Sequence, residues 1–217
     1  MRSITRFAIA LAAALALAGT GCGKKDDKGG GGGGGGGASA KQGGDVDVEA
    51  LAGVTVDGWK IEVMNKGRGT VTASGDGTID GKKVNALINV GACASTVCTK
   101  VDVAEYQKNA DNLKAMMSTA MKEDPNTIFE IKGAKMGGKD VVTVYSLGFL
   151  SSNGSRVSNH GLNVFWNDGN GAVTLIISDR ERHEATTFEE YKAAAEPMRA
   201  TMEKAGDQLV AAYVAKL

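Results

Sequence analysis

Three kinds of hydrophobic patterning succeed one another along the chain. Phe7 to Ala18 is an unbroken apolar run, Gly23 to Gly37 holds only glycine and charged residues, and from Asp45 onward alternation of period two is interrupted by two stretches at helical spacing. Alternation sends successive side chains to opposite faces of a strand, whereas recurrence at i, i+3 and i+4 lines one face of a helix. The pattern therefore predicts a leader, a linker over 22–44 and a single domain over 45–217.

Within the domain, Val46 to Ala50 alternates apolar and acidic residues and predicts a short edge strand. Trp59, Ile61 and Val63 share a parity after the Asp57-Gly58 turn and predict the first main strand. Gly67 to Ala73 predicts a second strand, Ser74 to Lys83 a turn-rich passage, and Val84 to Val90 a mostly apolar strand. Thr127 to Ile131, Val141 to Phe149 and a hairpin of Gly161 to Trp166 with Ala172 to Ser178 complete the strands. Ser151 to Asn159 is polar and predicts an exposed loop, the most plausible contact segment.

Asp102-Val103-Ala104-Glu105 has the form of a capping box, in which a cap side chain and a glutamate three residues on satisfy each other's amides. Tyr106, Ala110, Leu113, Met117 and Met121 continue at helical spacing until Asp124-Pro125. Thr187-Phe188-Glu189-Glu190 opens a second helix in the same way, with Tyr191, Ala195, Met198 and Met202 on its stripe. Pro197 is expected to kink or restart it, and Leu209 to Leu217 to add a last turn or two. Hairpin-linked strands and two amphipathic helices predict the α+β class, a largely antiparallel sheet packed by the helices.

The first 21 residues read differently. Arg2 and Arg6 precede the apolar run, which at 12 residues falls short of the ~20 needed to span a bilayer. It has the length of a signal-peptide core. Leu17-Ala18-Gly19-Thr20-Gly21-Cys22 follows, and small residues directly before a cysteine resemble the lipobox of bacterial lipoproteins. Gly19 stands where a lipobox carries leucine, with Leu17 two residues further out, so cleavage by an ordinary signal peptidase is the competing reading. The resemblance implies cleavage before Cys22, acylation of its thiol and amine, and an extracytoplasmic address. With Gly23 rather than Asp after the cysteine, the implied location is the outer membrane facing the periplasm. Nine consecutive glycines from Gly29 to Gly37 then make a flexible tether, since glycine leaves the backbone its greatest freedom.

Charge and cysteine content narrow the function classes. Removing 1–21 takes away two arginines and no acid, leaving 25 − 2 = 23 basic against 25 acidic residues, a net charge of −2. That is no footprint for nucleic acid. With aromatics at 5% of residues, the core has to come from Val, Ile, Leu, Met and Ala. If Cys22 is lipidated, Cys93 and Cys98 remain as an even pair in an oxidising compartment and predict a loop-stapling disulfide. Free thiols, a redox pair and a metal site compete with it. A redox motif normally has two intervening residues rather than four, and His160 and His183 lack paired ligand spacing.

The order of elements also resembles the PsbP-like α/β/α sandwich of photosystem accessory proteins and of DcrB- and LpqN-type lipoproteins. Gly58-Trp59 opening the first main strand, the helix start over Asp102 to Tyr106, the Gly161 to Ser178 hairpin and Thr187-Phe188 carry the likeness over about Val54 to Met202. A proline that often precedes Gly-Trp in that family is absent, Val56-Asp57 standing there. The resemblance implies a binding or assembly-accessory domain without a catalytic centre and carries over no functional residue.

No Gly-x-Ser-x-Gly turn and no phosphate loop is present. His160, in the polar segment, and His183, in the charge-dense Asp179 to Glu184 stretch, are expected to be solvated surface histidines. The chain is thus expected to be a non-catalytic, membrane-anchored binding or accessory module with no metal and no cofactor. Its partner is expected to be another envelope protein or a small apolar ligand. The alternatives are a small-molecule or lipid-binding lipoprotein and a hydrolytic enzyme with an unrecognised site.

Overall fold

The computed structural model describes residues 47–67, 69–92, 102, 104, 126–152 and 155–217. Cys22, the Cys93–Cys98 pair and nearly all of the helix expected from Asp102 to Asp124 lie outside the described residues. At the start of that expected helix, the Ala104 amide donates to Asp102 Oδ1 at 2.7 Å.

One sheet organises everything else. Its strands are β1 (Trp59–Gly67), β2 (Thr70–Ile79), β3 (Lys82–Ala92), β4 (Thr127–Met136), β5 (Lys139–Ser152), β6 (Ser155–Asn167) and β7 (Gly171–Asp179), in spatial order β1-β2-β3-β7-β6-β5-β4. Every neighbouring pair is antiparallel. Two hairpin-built meanders therefore meet at the β3–β7 seam. Helices α1 (Val48–Ala52), α2 (Phe188–Ala195) and α3 (Met198–Val214) complete the described elements, and the class is α+β as expected. Among the described residues no helix is long and apolar enough to cross a membrane.

The alternation that predicted the strands also assigns their faces. Val173, Leu175 and Ile177 of β7 and Leu162, Val164 and Trp166 of β6 join one buried cluster with Leu51 of α1, Tyr191 of α2 and Met198, Met202, Ala205 and Leu209 of α3. All three helices thus cover the same sheet face. Burying each such large apolar side chain stabilises the fold by roughly 1.5–3 kcal/mol. The opposite face carries a smaller buried group, Val142, Val144 and Phe165, with Phe129 and Ile131 against it. β5 is therefore buried on both sides from Val141 to Gly148.

The capping box at Thr187 is present: the Thr187 hydroxyl accepts from the Glu190 amide while the Glu190 carboxylate reaches back to the Thr187 amide. Pro197 separates α2 from α3, which then runs unbroken to Val214 and takes in the last turn or two expected from Leu209, ending before Leu217.

Three other expectations are corrected. Val46 to Ala50 does not make a strand; Val48–Ala52 is a short helix capped by Asp47, whose Oδ1 accepts from the Ala50 amide at 3.0 Å, and Leu51 is buried beneath it. Ser74 to Lys83 is no loop, because β2 continues to Ile79 and turns only at Asp80-Gly81. Its glycines serve packing: Gly77 pairs with Trp59, and a Cβ on Gly77 would stand 2.6 Å from the Trp59 ring. Of the segment expected as a loop, Ser151 and Ser152 belong to β5 and Ser155 to Asn159 to β6, with Ser152 opposite Ser155 and Gly148 opposite Asn159. Backbone pairing does not require apolar side chains, so polarity alone misplaced this segment.

Candidate functional site

Two apolar stripes end in polar residues. Along β6 the helix-facing parity runs Trp166, Val164, Leu162 and then His160; along β7 it runs Val173, Leu175, Ile177 and then Asp179. The register pairs Gly161 with Ser178, so one step further His160 and Asp179 stand side by side at the end of the covered face. His183 lies four residues beyond Asp179, in the segment leading to α2.

Asp179 is the hub. Its Oδ2 accepts from His160 Nδ1 at 2.8 Å and from His183 Nε2 at 2.6 Å, and its Oδ1 accepts from the Glu181 amide at 2.8 Å. The side chains of His160, Asp179 and His183 are 1%, 3% and 12% exposed. Burial pushes the Asp179 carboxyl up, but the hydrogen bonds from the two imidazoles and the Glu181 amide outweigh it and hold the group below the ordinary carboxylate range. An ionised carboxylate only accepts, so the ring nitrogens facing it carry hydrogen.

The network continues inward. His160 Nε2 lies 3.0 Å from the Tyr145 hydroxyl, which donates to Glu196 Oε2 at 3.2 Å. Burial, and then the Glu196 carboxylate, raise the Tyr145 phenol well above its usual range, so it stays a neutral hydroxyl. Arg199 lays its guanidinium over the Tyr145 ring at 4.2 Å and donates to Glu130 Oε2 at 2.6 Å. Strand β5, the α2–α3 junction and α3 thereby brace the far side of the imidazole.

On the near side a pocket of about 990 Å³ opens, with Phe149, Ser158, Arg180, His183, Glu190 and Tyr191 in its wall and His160 and Asp179 at its base. Phe149 and Tyr191 stack at 5.2 Å between ring centroids, and His183 meets Tyr191 edge-on at 5.9 Å. The site thus combines an aromatic wall with a buried carboxylate hydrogen-bonded by two imidazoles.

The chain matches no protein-family model, no curated protein and no solved structure.

Neither histidine is the solvated surface residue that the sequence suggested. His160 is 5% exposed because its parity on β6 places it with the core residues, not with the polar neighbours that surround it in sequence. His183 is drawn in by Asp179. The ligand atoms of His160, Asp179 and His183 all lie within 4.8 Å of one another, the one such trio of His, Cys, Asp or Glu among the described residues. The spacing rule failed because these donors come from two strands and a following loop rather than from one helix or knuckle. Cys22, Cys93 and Cys98, the site residues expected from sequence, lie outside the described residues.

Proposed function

We propose that the chain is a lipid-anchored extracytoplasmic lipoprotein, on the outer membrane facing the periplasm, whose α+β domain is a non-catalytic binding module taking its ligand in the pocket bounded by Phe149, Ser158, His183 and Tyr191. The observation that carries this reading is the pocket itself: a concave site with an aromatic wall and convergent buried polar groups at its base is the usual form of a small-ligand site. Binding is favoured over hydrolysis here by the engagement of His160. Its Nδ1 faces Asp179 and its Nε2 faces a tyrosine that is itself 1% exposed, so both ring nitrogens of His160 are engaged by neighbouring side chains. The burial of β5 on both faces supports the PsbP-like α/β/α sandwich as the finer description of the fold. A small ligand, partly apolar, fits the aromatic wall better than a nucleic acid fits a chain of net charge −2.

The address is tested at the N-terminus. Mass spectrometry of the mature protein should find an acylated Cys22, and Cys22→Ala should move the protein to the soluble fraction or leave an uncut precursor. A mature chain starting elsewhere would refute the anchor. The pocket is tested by filling it: Ser158 is exposed at its wall, so Ser158→Trp should keep the fold while removing any small molecule that co-purifies with the protein from its own envelope. If the same molecules come through with the filled pocket, the pocket is not the ligand site.

A further inference from the structure

We propose that His160 Nδ1, Asp179 Oδ2 and His183 Nε2 form a three-ligand site for one divalent transition-metal ion of the zinc class, with the remaining coordination position open to the pocket. The inference deepens the binding reading above, naming what the base of the pocket holds. Imidazole nitrogens with a carboxylate oxygen form the donor set that suits zinc and its first-row neighbours, and three protein ligands leave a fourth tetrahedral position for an incoming ligand.

The ligand atoms are already gathered. Hydrogen bonds of 2.6 and 2.8 Å join them. Ligands about 2.0–2.2 Å from a tetrahedral ion sit about 3.4 Å apart, so a modest withdrawal of the imidazoles from Asp179 admits the ion. His183 is the group able to give way, since it is carried by the non-helical, non-strand segment between Arg180 and Thr187. Asp179 Oδ1 is held by the Glu181 amide, which leaves Oδ2 as the ligand and fixes its direction.

The surrounding hydrogen bonds are those a zinc-bound histidine needs. When Nδ1 ligates, the imidazole proton resides on Nε2, where the Tyr145 oxygen lies 3.0 Å away to accept it. Tyr145 then donates its own hydrogen to Glu196, so the three groups form one directed chain from His160 to the carboxylate. With neutral His160 protonated on Nδ1 instead, Nε2 and Glu196 compete for the single Tyr145 hydrogen. A ligating histidine that donates its other nitrogen to an oriented acceptor is the general second-layer pattern at metal sites. A protonated His160 would run the chain in the same direction without a metal, and metal titration separates the two.

The test uses the mature chain from Cys22, stripped with a chelator and with any free thiol alkylated so that the cysteines contribute nothing. Calorimetric titration with zinc chloride should show one equivalent bound, zinc should raise the thermal midpoint, and cobalt(II) should give visible absorption bands at the same stoichiometry. His183→Ala should weaken zinc binding by more than the about 10–100-fold expected for loss of an outer partner, and Tyr145→Phe by that smaller factor. Circular dichroism confirms that each variant is folded; if His183→Ala is not, His183→Gln takes its place. No saturable binding of zinc or cobalt at millimolar concentration, or equal affinity in a folded His183 variant, overturns the metal site. A chain that fails this titration yet loses its co-purified molecule in Ser158→Trp keeps the pocket as a binding site and loses only the metal.

Discussion

Gly137→Ala should lower the stability of the domain by about 3–5 kcal/mol, while Gly138→Ala, one residue away, should cost only about 1 kcal/mol. Both glycines form the two-residue turn between β4 and β5, closed by the Met136–Lys139 pair, with φ values of +57° and +77°. Such turns need positive φ at both positions, so each alanine meets the same left-handed penalty. The difference lies in what surrounds them. A Cβ on Gly138 meets nothing within 4 Å, but a Cβ on Gly137 would stand 2.7 Å from Ala211 Cα and 2.9 Å from the Val210 carbonyl carbon. Those atoms are the backbone of α3, which cannot yield by rotating a side chain. The Gly137 amide also donates to Asp207 Oδ1 at 2.8 Å, fastening the turn to the helix. For a domain of this size, Gly137→Ala should lower the thermal midpoint by about 10 °C. Equal midpoints for the two variants would show that α3 does not press on the turn.

Asp179→Ala, measured in chelator so that no metal contributes, should cost about 3–5 kcal/mol, because two buried ring donors lose their acceptor at roughly 1–3 kcal/mol each. Two imidazoles, 1% and 12% exposed, lose their common acceptor, and the Glu181 amide loses its partner as well. Asp179→Asn keeps the shape and one acceptor oxygen but lacks the charge, and should cost less, about 1–3 kcal/mol. Denaturant titration with an unchanged slope would establish both as losses of native stability. Asp179→Ala as stable as the parent would mean that the cluster is loosely held and that the pocket base is not preorganised.

The two residues illustrate how unevenly the chain reveals itself. The Gly137-Gly138 turn was legible as a turn, because paired glycines between alternating stretches have few other uses. Its contact with α3, 70 or more residues away, was not. The same division runs through the site. A histidine in a polar stretch reads as surface when composition is the guide, and Ser151 to Asn159 misled in that way. The signal able to correct it was parity: His160 falls in step with Leu162, Val164 and Trp166, and Asp179 with Val173, Leu175 and Ile177. Each polar residue ending an apolar stripe was thus marked for the covered face.

By itself the sequence determined what depends on neighbours along the chain. The strands follow from period two, and the α2 start from a capping box closed within three residues. The antiparallel class follows from short turns. Only the tertiary structure decided that β3 pairs with β7, that Trp59 needs Gly77 beneath it, and that His160, Asp179, His183, Tyr145 and Glu196 converge. Register across strands sets these meetings, joining residues such as Tyr145 and Glu196 that lie 51 positions apart. Local periodicity states which way a side chain points, whereas its partner is fixed by how distant strands and helices pack together.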